Sequence, residues 1–158
     1  MRMRPKILTF AMGLTAAVSL MAGAFVLQIG KPSANPEAQA KNALLVVRGV
    51  ACVEQEKTTV RGTAEGIVNG TRQTVALNLI PLRDESTYVV TRQWPNEGKW
   101  VLTFTMTNPH FGQQAAIVRV DAGGVDWAGI SRLSHAPAKE DVEAALKKSS
   151  DTAAVAAR

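Results

Sequence analysis

The sequence predicts an all-β fold, a single antiparallel β-sandwich of about seven strands, with an N-terminal apolar targeting helix before it and a short C-terminal helix after it. Three observations carry this expectation. Between Ala43 and Leu133, apolar residues recur with a period near two in short runs, as strands with one buried face require. Turn-forming residues punctuate those runs at the spacing of an all-β domain. No helix-length periodic segment separates the runs, which disfavours a parallel sheet built on crossover helices.

The chain opens with Arg2, Arg4 and Lys6 ahead of an apolar stretch from Ile7 to Ile29, which Gly30-Lys31-Pro32 ends. A basic flank before an apolar run is a membrane-directing signal that keeps its own end on the cytoplasmic side. The remainder is therefore expected to be extracytoplasmic, either periplasmic or secreted. Ala38-Gln39-Ala40 places small residues at the two positions a leader peptidase reads, and cleavage there would start the mature chain at Lys41. Ala22-Gly23-Ala24 is a second such set, but a cut there leaves Phe25-Val26-Leu27 exposed. The alternative is an uncleaved anchor over residues 7–29, which at about 1.5 Å per residue can cross a ~30 Å hydrocarbon layer. Residues 1–40 thus read as a signal peptide or signal anchor plus a linker containing Pro32 and Pro36.

Residues 41–134 form the expected sandwich. Leu44 to Val50 and Thr58 to Val68 are the first two runs, and Asn69-Gly70 after them is a strong hairpin signal, because both central positions of that turn need positive φ. Thr74 to Ile80 puts Val75, Leu77 and Leu79 on one side, and Tyr88, Val90 and Trp94 share a parity in the next run. Pro95-Asn96-Glu97-Gly98 is a compact connection to Lys99–Thr107, where Trp100, Leu102, Phe104 and Met106 alternate with Val101, Thr103, Thr105 and Thr107. Asn108 to Gly112 makes a loop, Ala116, Val118 and Val120 mark the sixth strand, and Asp121-Ala122-Gly123-Gly124 turns into Val125 to Leu133. Residues 135–158 change character. Pro137 suits a helix start, Glu140 and Asp141 its first turn, and Lys147 and Lys148 its negative end, with Val142, Ala145 and Leu146 able to face the sheets. The stretch from Ser149 to Arg158 reads as a fraying tail.

The succession Gly62-Thr63-Ala64-Glu65-Gly66, Tyr88-Val89-Val90 and Pro95-Asn96-Glu97-Gly98-Lys99-Trp100-Val101-Leu102 resembles small exported immunoglobulin-like sandwiches of the YtkA/FixH-like and carboxypeptidase-regulatory-like (transthyretin-like) kinds, over about residues 61–121. The shared feature is a strand ending in a tight turn, followed by Gly-x-Trp opening the next strand. The resemblance implies an accessory or interaction module. It assigns no ligand residue, because no ligand motif of those families is matched.

The chain carries 18 basic and 13 acidic residues, a net charge of +5. Arg2, Arg4, Lys6 and Lys31 against Glu37 belong to residues 1–40; removing them leaves 14 basic and 12 acidic residues, a net of only +2. Such a balance gives no warrant for a nucleic-acid partner, which calls for clustered cations. The single Cys, Cys52, excludes an intrachain disulfide, so the domain depends on its core.

Catalysis needs a nucleophile or paired titratable groups with an orienting partner. Asp84-Glu85 and Glu54/Glu56 read as solvated pairs. Asp126, Ser131 and His135 are close in sequence, but no nucleophile elbow surrounds Ser131. A non-enzymatic protein without a cofactor is expected, one that binds or supports another envelope protein. Two other chemistries attach to particular residues. Trp94 and Phe111 border loops, and with the 108–112 loop they are the candidates for a carbohydrate or small-ligand platform. Cys52, Met106 and His110 are soft ligands suited to Cu(I), which would make a copper-handling accessory protein if the three converge; core packing is the simpler role for Met106 and Cys52.

Overall fold

The computed structural model describes residues 24–156. Over them the chain forms ten strands: β1 (Phe25–Gly30), β2 (Leu45–Ala51), β3 (Thr59–Val68), β4 (Thr71–Ala76), β5 (Ile80–Pro81), β6 (Thr87–Val90), β7 (Lys99–Asn108), β8 (Gly112–Asp121), β9 (Gly124–Val125) and β10 (Ser131–Leu133). Two helices join them, α1 (Pro36–Ala40) and α2 (Lys139–Ala156). All pairings are antiparallel. One sheet has the order β1-β2-β6-β5 and the other β10-β8-β7-β3-β4, with β9 beside β8.

The two sheets share one core. Leu27, Leu45, Val47 and Val90 from the first meet Trp100, Leu102, Phe104, Met106, Val118 and Val120 from the second. The Gly62–Gly66 segment fits this core by size. In the β3–β7 register Gly62 lies opposite Phe104, Ala64 opposite Leu102 and Gly66 opposite Trp100, so small residues face large ones along the pair. A Cβ on Gly66 would fall 2.4 Å from the Trp100 ring, and only a glycine leaves room for that indole. Asn69 and Gly70 have φ of 49° and 76°, as their hairpin turn demands.

Five features differ from the sequence reading. The expected apolar helix over residues 7–29 lies outside the described residues as far as residue 23, and from Phe25 onward the chain is a strand. β1 pairs along its whole length with β2, Phe25 opposite Ala51 through Gly30 opposite Val46. Phe25, Leu27 and Ile29 turn inward, and Leu27 is buried. The run expected from Thr74 to Ile80 instead starts at Thr71, directly after the turn, and breaks after Ala76, where the chain crosses from one sheet to β5 in the other. Val125–Leu133 splits into β9 and β10. Finally, both faces of β7 are buried, because α2 lies over the outer one: Val142 and Leu146 pack on Val101 and Ile117. This helix continues through Ser149–Ala156, past the expected fraying point, in keeping with the high helix propensity of its alanines.

The free edge of β1 is closed by a side chain. Gln114 of β8 donates through Nε2 to the Phe25 carbonyl at 2.6 Å and accepts at Oε1 from the Leu27 N–H at 3.3 Å. A glutamine thus takes the place of a neighbouring strand at the seam between the sheets. Arg72 ties α2 down, bonding Glu65 of β3 and Glu143 of the helix. These contacts hold Glu143 below its ordinary range, chiefly through Arg72.

Candidate functional groove

Strand alternation decides what the outer face of the first sheet presents. With Leu45 and Val47 inward, Arg48 points outward, and the register sets Gln28 of β1 and Thr87 of β6 on either side of it. The β1–β2 connection, including α1, folds back beside this row. It is pinned there by Ala38, which is fully buried: its N–H donates to Asn35 Oδ1 at 3.1 Å and its carbonyl accepts from the Ala43 N–H at 3.1 Å. A groove of about 410 Å³ results, lined by Gln28, Lys31, Asn35, Arg48, Asp84 and Arg132 among others. Three cations and one carboxylate line it. None of the three cations has an ion-pair partner among the described residues. Lys31 Nζ lies 5.7 Å from the centroid of Trp127, whose ring face attracts a cation. An anionic group entering here would meet converging donors from β2, from β10 and from the residue after β1.

A second concavity, also about 410 Å³, lies where α2 meets β8 and β10, but two of its charged groups are already engaged. Asp141 accepts from the Ala138 N–H at 2.8 Å at the start of α2. Arg119 bonds Asp126 through Nε at 3.1 Å, and Asp126 Oδ1 also accepts from the Gly129 N–H at 2.9 Å. The Arg119 guanidinium, helped by that backbone donor, holds the Asp126 carboxyl below its ordinary range.

The residues singled out in the sequence sit elsewhere. Trp94 is only 5% exposed; its ring packs 6.3 Å from that of Trp100, with the Arg92 guanidinium 5.5 Å from its centroid, leaving no open face for a sugar. Phe111 is half-buried and stacks on Phe25 at 5.3 Å. The 108–112 loop is held by Asn108, which is 1% exposed. Its Nδ2 donates to the Val53 carbonyl, the Glu54 carbonyl and Thr58 Oγ1 at 3.0, 3.2 and 3.0 Å, while its Oδ1 accepts from the His110 and Phe111 N–H groups. The loop is therefore a fixed brace against residues 53–58.

Met106 is fully enclosed, its sulfur over Gly49, where a Cβ would come within 2.8 Å of it. Cys52 and His110 are exposed, and Cys52 Sγ accepts from the Ala24 N–H at 3.0 Å. A metal shell shared by the three would require the buried sulfur to leave the core. Among the described residues, no group of three or more His, Cys, Asp or Glu is gathered to hold a metal ion. Asp126 is engaged with Arg119, and a His135 ring nitrogen lies 2.7 Å from the Ala136 carbonyl, so neither is arranged around Ser131.

Sequence reading missed Lys31, Arg48 and Arg132. They are far apart in the chain, and the one local signal is Arg48, a lone charge between the valines of β2. A scan against protein-family models, a search of curated proteins and a search of solved structures find no match to this chain.

Proposed function

We propose that the protein is an exported, immunoglobulin-like β-sandwich module of the cell envelope, without enzymatic activity, that docks an acidic segment of another envelope protein in the cation-rimmed groove beside β1 and β2. The observation that carries this reading is the convergence of Lys31, Arg48 and Arg132 on one groove, opposed there by Asp84 alone. Charges so placed steer and orient an oppositely charged partner. The basic and apolar N-terminal segment supports export. The two face-to-face antiparallel sheets with Trp100 in their core support kinship with the exported sandwiches that the sequence resembles.

The test is site-specific photocrosslinking in intact cells, with the probe at Gln28 in the groove or at Thr63, an exposed residue of β3 in the other sheet. The expected result is a reproducible envelope-protein adduct from Gln28 that is lost on Arg48→Glu and absent from Thr63. Equal labelling from both positions, or no adduct from Gln28, would refute the docking site.

A further inference from the structure

Among the described residues the first strand is β1, which begins sixteen residues before Lys41. A cut after Ala40 would remove β1 together with the β1–β2 connection. β2 would lose its whole antiparallel partner on that side, and Leu27, 2% exposed, would be lost from between the sheets. Gln114 would lose both its backbone partners, and Phe111 the ring of Phe25. The Ala38-Gln39-Ala40 set is itself part of the fold, a turn of helix with Ala38 fully buried. A cut after Ala24 leaves Phe25 and Leu27 turned inward, with Val26 alone of the three facing outward.

Taking the proposed export as given, we infer that the leader is cut between Ala24 and Phe25. Ala22 and Ala24 are the small residues at the two positions a leader peptidase reads, and Ile7 to Met21 is then an apolar core of ordinary length behind Arg2, Arg4 and Lys6. The reaction is a hydrolysis by a membrane-bound leader endopeptidase. The Ala24–Phe25 C–N bond breaks, water adds its oxygen to the Ala24 carbonyl carbon to leave a carboxylate, and the Phe25 nitrogen, which already carries one hydrogen, takes up both protons of that water to become the new α-ammonium. The released product begins with the edge strand of the first sheet, ready to pair with β2.

The experiment expresses the full chain with a C-terminal tag in a bacterial host, fractionates the cells, and reads the N-terminus by intact mass and Edman sequencing. A product starting at Phe25 in the extracytoplasmic fraction is the expected result. An exported product starting at Lys41, or an uncut chain held in the membrane, overturns this cleavage site while leaving export intact. An uncut chain in the cytoplasm overturns the export reading and the cut with it. Paired variants sharpen the outcome: Ala24→Tyr should leave most of the chain uncut in the membrane, whereas Ala40→Tyr, at an exposed position, should be processed as the parent is. The reverse pattern would refute the assignment.

Discussion

At the residue scale, three side-chain environments make distinct predictions. Asn108 satisfies three acceptors and two donors from a buried position, so Asn108→Ala strands the Val53 and Glu54 carbonyls and should cost about 2–3 kcal/mol in denaturant unfolding. A loss under 0.5 kcal/mol would show that the brace is dispensable. Gly66 and Gly49 both touch large side chains, but with different room to yield. An added methyl on Gly66 meets the rigid Trp100 ring, whereas on Gly49 it meets the flexible end of Met106. Gly66→Ala should therefore destabilise by about 2–3 kcal/mol and Gly49→Ala by distinctly less; equal losses would contradict this packing. Asp126 gives a pH signature. Its carboxyl is held below the ordinary range by Arg119, so the pair contributes stability above the unfolded carboxylate value and loses it as pH falls through the lowered folded value. With the Asp126 side chain 39% exposed, Asp126→Asn should cost on the order of 1 kcal/mol at pH 7. The gap to the parent should start to narrow below about pH 4, where the unfolded carboxylate takes up its proton, and should close only once the pH is below the lowered folded value; a constant gap down to pH 2 would remove the pair from the account. None of these environments was fully legible beforehand. Gly62 and Gly66 enter the sequence reading only through the family resemblance; their packing role is a size match to β7, which needs the register.

At the element scale, the long alternating strands were readable and the short ones were not. β3, β7 and β8 declare themselves through period two because one side of each meets the shared core. β1 was hidden because Phe25–Ile29 continues the apolar stretch that begins at Ile7 without a break in composition, and pairing with β2 alone marks it as a strand. β9 and β10 are too short to carry a period. α2 was visible from its terminal charges, yet its effect on β7 was not, since nothing in Val101 or Thr103 says that a helix will cover them. Truncating Leu146, which is buried against that outer face, should cost about 2–4 kcal/mol as Leu146→Ala, measured by thermal or denaturant unfolding. A negligible effect would mean that the helix does not bear on the sheet in solution.

At the scale of the whole molecule, the near balance of charge outside the leader gave no reason to expect a cationic site. The groove concentrates cations locally in a domain that is nearly neutral overall. Arg48→Glu with Arg132→Glu should abolish groove crosslinking and leave the unfolding midpoint within about 0.5 kcal/mol of the parent, because both residues are exposed. Crosslinking should also weaken as salt rises from low ionic strength toward 1 M, where the screening length falls to about 3 Å. Insensitivity to both changes would refute an electrostatic docking site. The all-β character, the antiparallel hairpins, the closing helix and the basic, apolar N-terminal stretch are legible in the sequence alone, because each is written in local period, turn chemistry or flanking charge. The pairing of β1 with β2, the burial of particular aromatics, and the meeting of Lys31, Arg48 and Arg132 in one groove come from the tertiary structure. Those depend on pairing between segments distant in the chain, and no local pattern encodes which strand a segment will meet.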